Sequence, residues 1–267
     1  MANWILELLL YIGRLLALSL GTVVICGLAV HLCARIFARL WGFGSRAVFD
    51  LTALIGTPIH ELGHAAMCLL FGHRIERVKL LSLGKRDGSY GYVEHSYNRR
   101  NLWARLGNLF IGIGPIFSGL GVIALTLWLC FPAPWADYLA LSGALVARGA
   151  SAGEIVQGVF SLLLALPSAF ADNWLLSLLG LVLMMSVSLH VSLSGADIRG
   201  SLSALPLYAA LTAVIAIVTK LLGFSGTVIS ALSVFNLCVL SMFSLVIAFA
   251  ALWVVLAFLL WLVRKIF

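Results

Sequence analysis

The sequence predicts an all-α polytopic membrane protein with about six transmembrane helices and a small β-hairpin-like insertion. Of the 267 residues, 63% are hydrophobic and only 10% are charged, and the mean hydropathy is +1.12. Apolar stretches of about 20 residues, the length at which a helix crosses the hydrocarbon core of a bilayer, recur along the chain. One substantial polar interlude separates them, and its pattern is typical of two short strands.

The transmembrane helices are predicted at 12–34, 47–72, 105–131, 174–197, 203–223 and 230–262. The start of the chain lacks the basic region and the cleavage site of a signal peptide, so we expect the first helix to remain in the mature protein. The segment 155–171 is short and contains Pro167, which favours an interfacial or re-entrant piece over a further crossing. Residues 1–267 are therefore expected to form a single membrane-embedded domain.

The polar interlude covers residues 73–104, where two strand-like runs flank an Asp87–Gly88 turn. Basic residues outnumber acidic ones in this segment, so the positive-inside rule places it in the cytoplasm. Counting crossings then puts both chain ends in the cytoplasm and the 132–157 segment outside. The 35–46 connection is the exception, because its three arginines fall outside under the same count.

Composition also limits the partners. The net charge of +7 is explained by membrane topology, and no basic face with interleaved aromatic residues indicates nucleic-acid binding. The five cysteines lie in or beside apolar segments without the spacing of a disulfide framework, and we interpret them as small core residues. The small size and the lack of appended domains favour a bacterial inner-membrane protein.

Three polar residues, His60, Glu61 and His64, interrupt the second predicted helix. The two histidines are four residues apart, so a helix projects both from one face, as two ligands of a tetrahedral zinc ion require. In an H-E-x-x-H helix the glutamate is a base that takes a proton from water. The competing interpretation is hydrogen bonding between transmembrane helices. Because ionisable groups within a span are costly, a functional Zn²⁺ site is preferred.

A catalytic zinc site of this kind needs a third protein ligand. Depth in the membrane favours Asp197, because the fourth predicted helix reaches the same leaflet as His64. His190, seven residues earlier on the same predicted helical face, is the alternative, either as a ligand or as a hydrogen-bonding partner of one. Asp197 could instead pair with Arg199 or cap the following helix. The other candidates are Asp50, Cys68 and His73, which are near in sequence, and His31 and Asp172, which this topology places toward the opposite membrane face.

These features resemble the site-2 protease family of intramembrane zinc metalloproteases. The resemblance covers roughly residues 47–200 and rests on HELGH in a transmembrane helix, the basic hairpin-like stretch after it, GIGPIFSG in the next helix and an aspartate near the end of the helix after that. It implies a protease-like core in this range, with flanking helices in 1–46 and 201–267. It also implies hydrolysis of a peptide bond in or near the transmembrane segment of a membrane-anchored protein or peptide.

Carried over by position, the resemblance implies that His60, His64 and Asp197 bind zinc and that Glu61 activates water. Two features depart from the family pattern. Gly114-Pro115 is followed by Ser118 where the family has asparagine, and Asp197 precedes isoleucine where the family has glycine. We expect Gly114, Pro115 and Ser118 to bind substrate or to pack helices.

A helical substrate hides its carbonyl groups in its own hydrogen bonds, so it must unwind locally before hydrolysis. The strand-like 75–95 segment could hold the unwound stretch as an added edge strand, or it could anchor the loop to anionic lipid. On this topology the site faces the cytoplasmic side of the lipid bilayer. The rival function is a non-catalytic membrane protein that binds or transports a metal with the same histidines.

Overall fold

The computed structural model describes residues 2–82 and 90–266, and within them the chain forms ten α-helices and one two-stranded antiparallel sheet. In chain order the elements are α1 (Ala2–Leu16), α2 (Thr22–Trp41), α3 (Ser45–Leu70), β1 (Arg74–Lys79), β2 (Tyr92–Ser96), α4 (Leu102–Cys130), α5 (Pro132–Ala147), α6 (Ala152–Ala165), α7 (Ala169–Asp172), α8 (Trp174–His190), α9 (Gly195–Leu221) and α10 (Ser225–Ile266). A π-helical turn joins α1 to α2. The predicted all-α class with a small hairpin is confirmed.

Among the described residues, five helical segments are long and apolar enough to cross a membrane: Asn3–Trp41, α4, Gly153–Asp172, α9 and α10. Four of them overlap predicted spans. Gly153–Asp172 also has the required length and composition, although the sequence favoured an interfacial or re-entrant piece there. The helix predicted at 47–72 is formed by α3, whose polar residues lower its hydropathy, and α8 has only 17 residues.

The structure differs from the prediction at 174–197, where the chain forms two helices. α8 ends at His190 and α9 begins at Gly195. Ser194 Oγ accepts the backbone N–H of Asp197 at 3.1 Å, and Asp197 Oδ2 accepts the backbone N–H of Ser194 at 2.7 Å. This reciprocal capping box satisfies two N–H groups at the start of a helix. His190 and Asp197 consequently do not share a helical face.

Residues 132–157, expected to form an external connection, are helical in α5 and the start of α6. Tyr138 on α5 donates its hydroxyl to the backbone carbonyl of Ser241 on α10 at 3.0 Å, and the ring of Trp135 stacks on that of Tyr138. Both aromatic side chains belong to the main hydrophobic core. The segment therefore packs against the helical bundle and does not form a loop.

The polar interlude contains the predicted hairpin. β1 and β2 pair antiparallel, with Arg74 opposite Ser96 and Lys79 opposite Tyr92. The predicted turn at Asp87–Gly88 lies outside the described residues. Side chains of β1 are mostly exposed, whereas residues of β2 line a cleft against α3.

α4 packs against α3, α8 and α9. Two glycines at these contacts allow close approach of the backbones. A Cβ on Gly114 would lie 2.6 Å from the carbonyl oxygen of Gly63 on α3, and a Cβ on Gly112 would lie 2.6 Å from the carbonyl oxygen of Asp197 on α9. Carbon and carbonyl oxygen normally stay about 3.3 Å apart or more. Gly112 and Gly114 thus set the positions of the two helices that carry Asp197 and the histidine motif.

Candidate metal site

His60, Glu61 and His64 lie on α3, which continues as a helix from Ser45 to Leu70 despite the internal Pro58. The four-residue spacing places both imidazoles on one helical face, with ring centroids 4.9 Å apart. The two histidine side chains are only 14% and 9% exposed. The motif thus presents two nearly buried imidazoles to the same point.

Asp197 in the first turn of α9 meets this pair. Its Oδ1 lies 3.2 Å from His64 Nε2, its Oδ2 lies 3.7 Å from His60 Nε2, and the two Nε2 atoms are 3.2 Å apart. His60, His64 and Asp197 form a group that can hold a metal ion, with ligand atoms all within 4.8 Å of one another. The structure therefore brings together the three residues that the sequence predicted as ligands.

The hydrogen bonds behind the imidazoles determine which nitrogens carry protons. His60 Nδ1 donates to the backbone carbonyl of His190 at 2.7 Å, and His64 Nδ1 donates to the backbone carbonyl of Ile111 at 2.7 Å. Because a carbonyl oxygen only accepts, both Nδ1 atoms carry hydrogen, and in neutral rings both Nε2 atoms are bare. Two bare nitrogens and a carboxylate then face one another. Such a cluster of lone pairs is stabilised by a cation at its centre.

Asp197 belongs both to the helix cap and to the group of candidate metal ligands, His60, His64 and Asp197. The capping contact with Ser194 holds Oδ2, while Oδ1 is directed at His64. The contact of Gly112 with the Asp197 backbone fixes the distance between α9 and α4. The sequence interpretation of Asp197 as a helix cap and its interpretation as a ligand are therefore compatible.

His190 contacts the cluster in a way that the sequence did not indicate. Its backbone carbonyl orients His60, whereas its side-chain Nε2 forms a hydrogen bond with Thr52 Oγ1 at 3.0 Å. The ring packs over Gly56, where an added Cβ would lie 2.5 Å from His190 Cδ2. His190 is thus a hydrogen-bonding partner of the candidate ligand His60, as one alternative predicted, but through its backbone.

Glu61 is 6% exposed and lines the cleft beside the cluster. The hairpin packs directly on it, because a Cβ on Gly91 would lie 2.7 Å from Glu61 Cγ. Next to Gly91, burial and a hydrogen bond to Asp50 raise the pKa of Tyr90 to about 12, so this phenol stays protonated. The Tyr90–Asp50 contact joins the hairpin to the N-terminal half of α3.

The cleft has a volume of about 760 Å³ and is lined by α3, β2, α4 and the junction of α8 and α9. Five of the six histidines of the chain line it: His31, His60, His64, His95 and His190. His31 was expected toward the opposite membrane face. It lies beside the cleft because α2 continues to Trp41, so His31 is farther from the helix end than predicted.

The other candidate ligands lie apart from the cluster. Asp50 is directed toward Arg46, with Oδ2 4.0 Å from Arg46 Nε, and Asp172 ends α7. Cys68 is buried on α3, one turn beyond His64. His73 forms a hydrogen bond with His95. Within residues 2–82 and 90–266, only His60, His64 and Asp197 form a group suited to a metal.

Gly114, Pro115 and Ser118 are helix-packing residues in this structure. A Cβ on Gly63 would lie 2.5 Å from Ser118 Oγ, and Ser118 Oγ donates to the backbone carbonyl of Pro115 at 3.1 Å. None of the three lines the cleft. Of the two roles expected for them, the contacts support packing of α4 against α3.

Sequence reasoning missed Thr57, His95 and Asn108, which also line the cleft. Thr57 is one turn before Glu61, and its buried hydroxyl has no hydrogen-bond partner among residues 2–82 and 90–266. A polar residue at helical spacing from the motif was the available signal for Thr57, whereas His95 and Asn108 reach the cleft from other elements.

Comparison of the chain with protein-family models, curated proteins and solved structures gave no match.

Proposed function

We propose that this protein is an intramembrane zinc endopeptidase of the site-2 protease type, which hydrolyses a peptide bond in or near a transmembrane segment of a membrane-anchored substrate. The observation that carries the proposal is the convergence of His60, His64 and Asp197 on one point, with Glu61 beside it, in a cleft of an apolar helical bundle. A glutamate next to the first histidine is needed for hydrolysis but not for metal binding alone.

The ligand set favours zinc. Two imidazoles and one carboxylate are typical of catalytic zinc sites, which keep a fourth position open. With metal–ligand distances of about 2.0–2.2 Å, tetrahedral geometry requires ligand atoms about 3.3–3.6 Å apart. The separations of 3.2, 3.2 and 3.7 Å fit this requirement. The backbone carbonyls that accept from both Nδ1 atoms are the partners that zinc-binding histidines usually have.

In this proposal His60, His64 and Asp197 would hold the ion, and bound zinc would supply Lewis-acid polarisation of the scissile carbonyl and of the attacking water. Glu61 takes a proton from that water molecule while the oxygen of the water attacks the carbonyl carbon. Glu61 then gives the proton to the leaving amine nitrogen as the carbon–nitrogen bond breaks. The buried position of Glu61 beside Gly91 keeps its carboxylate away from bulk water.

A membrane-embedded substrate must present an unwound segment, because helical carbonyls are already hydrogen-bonded. Tyr92, Val93 and His95 of β2 line the cleft, which supports β2 as the strand that receives such a segment. The basic interlude around the hairpin supports a cytoplasmic position for the site.

The test compares cells that carry the wild-type protein with cells that carry Glu61→Gln. Membrane peptides or proteins should accumulate only in the variant, while the purified variant keeps its zinc, because the ligands are unchanged. Glu76→Gln is the matched control, since Glu76 lies on the exposed hairpin surface beside Arg74. Full cleavage by Glu61→Gln would refute the proposal, and metal flux through proteoliposomes without proteolysis would favour the transport alternative.

A further inference from the structure

Hydrogen bonds away from the metal cluster fix the proton positions of His95. His73 is 4% exposed at the junction of α3 and β1, and its Nε2 donates to the backbone carbonyl of Ala104 at 2.7 Å. With that proton on Nε2, Nδ1 of a neutral His73 is an acceptor. His73 Nδ1 lies 2.9 Å from His95 Nδ1, so the hydrogen between the rings belongs to His95. In a neutral His95 ring, the other nitrogen, Nε2, is consequently bare.

Several contacts hold this pair of imidazoles in place. Tyr97 stacks on His73 with ring centroids 4.6 Å apart and planes inclined by 24°. Burial lowers the pKa of His95, which favours the neutral ring. His95 lines the cleft, and its Nδ1 is occupied by His73. The edge of the ring that remains for a ligand carries the bare Nε2.

A second chain of hydrogen bonds fixes the orientation of Asn108 on α4. The hydroxyl of Ser203 donates to the backbone carbonyl of Gly200 at 2.6 Å, so it can only accept from Asn108, which lies 3.3 Å away. The Asn108 atom facing Ser203 is therefore Nδ2, which also donates to the Tyr97 hydroxyl at 2.8 Å. Both N–H groups of the amide are used within the protein. Asn108 also lines the cleft, and its Oδ1 remains as an acceptor.

We propose that His95 Nε2 and Asn108 Oδ1 form an acceptor subsite that binds backbone N–H groups of an extended peptide in the cleft. The peptide as ligand class rests on the proposed peptidase function. An unwound segment exposes N–H groups that find few acceptors in an apolar environment, and leaving them unpaired is costly. Two fixed acceptors offset that cost. His73 is a positioning residue, because it acts only by holding the proton on His95 Nδ1.

The first test is independent of catalysis. Side-chain ¹⁵N NMR of the detergent-solubilised, metal-free protein should show His95 protonated on Nδ1 and bare on Nε2. In His73→Phe the acceptor is lost, and the Nε2-protonated form of His95 should appear, while metal binding at His60 and His64 stays unchanged. A wild-type His95 that carries its proton on Nε2 would overturn the proposal.

The second test uses a fluorescent apolar peptide with central glycines and measures how tightly it binds to the metal-free protein. The same measurement is made with derivatives of the peptide that are each N-methylated at a single backbone amide. At one or two positions, N-methylation should weaken binding to the wild type about fivefold, the effect of one neutral hydrogen bond. Each penalty should vanish in the variant that removes the matching acceptor, His95→Phe or Asn108→Leu, and the penalty that depends on His95 should persist in part in His95→Gln, which keeps an acceptor. Thermal unfolding verifies that each variant is folded.

The outcomes separate the subsite from the proposed reaction. N-methylation penalties that are the same in the wild type, in His95→Phe and in Asn108→Leu would refute the subsite. A wild type that binds no peptide would refute it as well. Position-specific penalties in a protein that never cleaves peptide would support the subsite and refute the peptidase. Cleavage with no position-specific penalty would refute the subsite alone.

Discussion

Replacing Gly112 with alanine should weaken metal binding although Gly112 is not a ligand. A Cβ at this position would lie 2.6 Å from the carbonyl oxygen of Asp197 and 1.9 Å from Ser201 Oγ. The Ser201 hydroxyl can rotate away, but the backbone carbonyl cannot. Restoring a carbon–oxygen contact of about 3.3 Å requires α9 to move by about 0.7 Å. Metal–ligand distances tolerate only about 0.2 Å, so Asp197 should lose its bonding position.

Disturbance of a ligand's support typically costs 10–100-fold in metal affinity, and we expect Gly112→Ala to fall in that range. The assay is competition for zinc between the solubilised protein and a chromophoric chelator. Gly121→Ala is the matched control, because Gly121 lies on the same helix and an added Cβ would meet no atom of the described residues within 4 Å. If Gly112→Ala binds zinc as tightly as Gly121→Ala, the close contact of α4 with α9 does not position Asp197, and the reasoning is refuted.

Two further predictions concern the same site. At a zinc concentration 100-fold above Kd, removing the zinc with a chelator should lower the unfolding temperature of the wild type by about 5–10 °C, because the ion binds only the folded state. In a His60→Ala, His64→Ala double variant, calorimetry should show no such shift. Asp197→Ala should reduce zinc affinity by more than about 100-fold. His190→Ala should reduce it by less than about tenfold, because His190 supports His60 through a backbone carbonyl that alanine retains. Equal losses of affinity in the competition assay would contradict these roles of Asp197 and His190.

The parts of the site that the sequence predicted depend on local spacing. His60 and His64 share a helical face at any orientation of that helix, so their convergence required no tertiary information. The hairpin was likewise indicated by a local polar interlude. The hydrogen bonds of His95 and Asn108 depend instead on how β2 lies against the junction of α3 and α4. Such contacts join residues distant in sequence, and no local pattern indicates them.

The sequence predicts Asp197 as a metal ligand for a partly incorrect reason. The prediction extended one apolar helix through 174–197 and used its depth, whereas the chain breaks after His190. The Ser194-to-Asp197 spacing is a capping signature that the sequence contained, but the continuous hydrophobicity of the region outweighed it. Asp197 still reached the cluster, because α8 and α9 meet at the depth where the single helix was expected to end.

The break between α8 and α9 is what makes the third candidate ligand, Asp197, available. The capping contact turns the Asp197 side chain back toward the start of α9, where Ser194 holds one oxygen. That start lines the cleft next to His60 and His64. In a helix continuous from Trp174, Asp197 would have no free helix start to cap, and its direction would depend on the rotation of the whole helix. The four residues between His190 and Gly195 therefore give the Asp197 carboxylate, a candidate ligand, a fixed direction, while the His190 carbonyl at the same break orients His60.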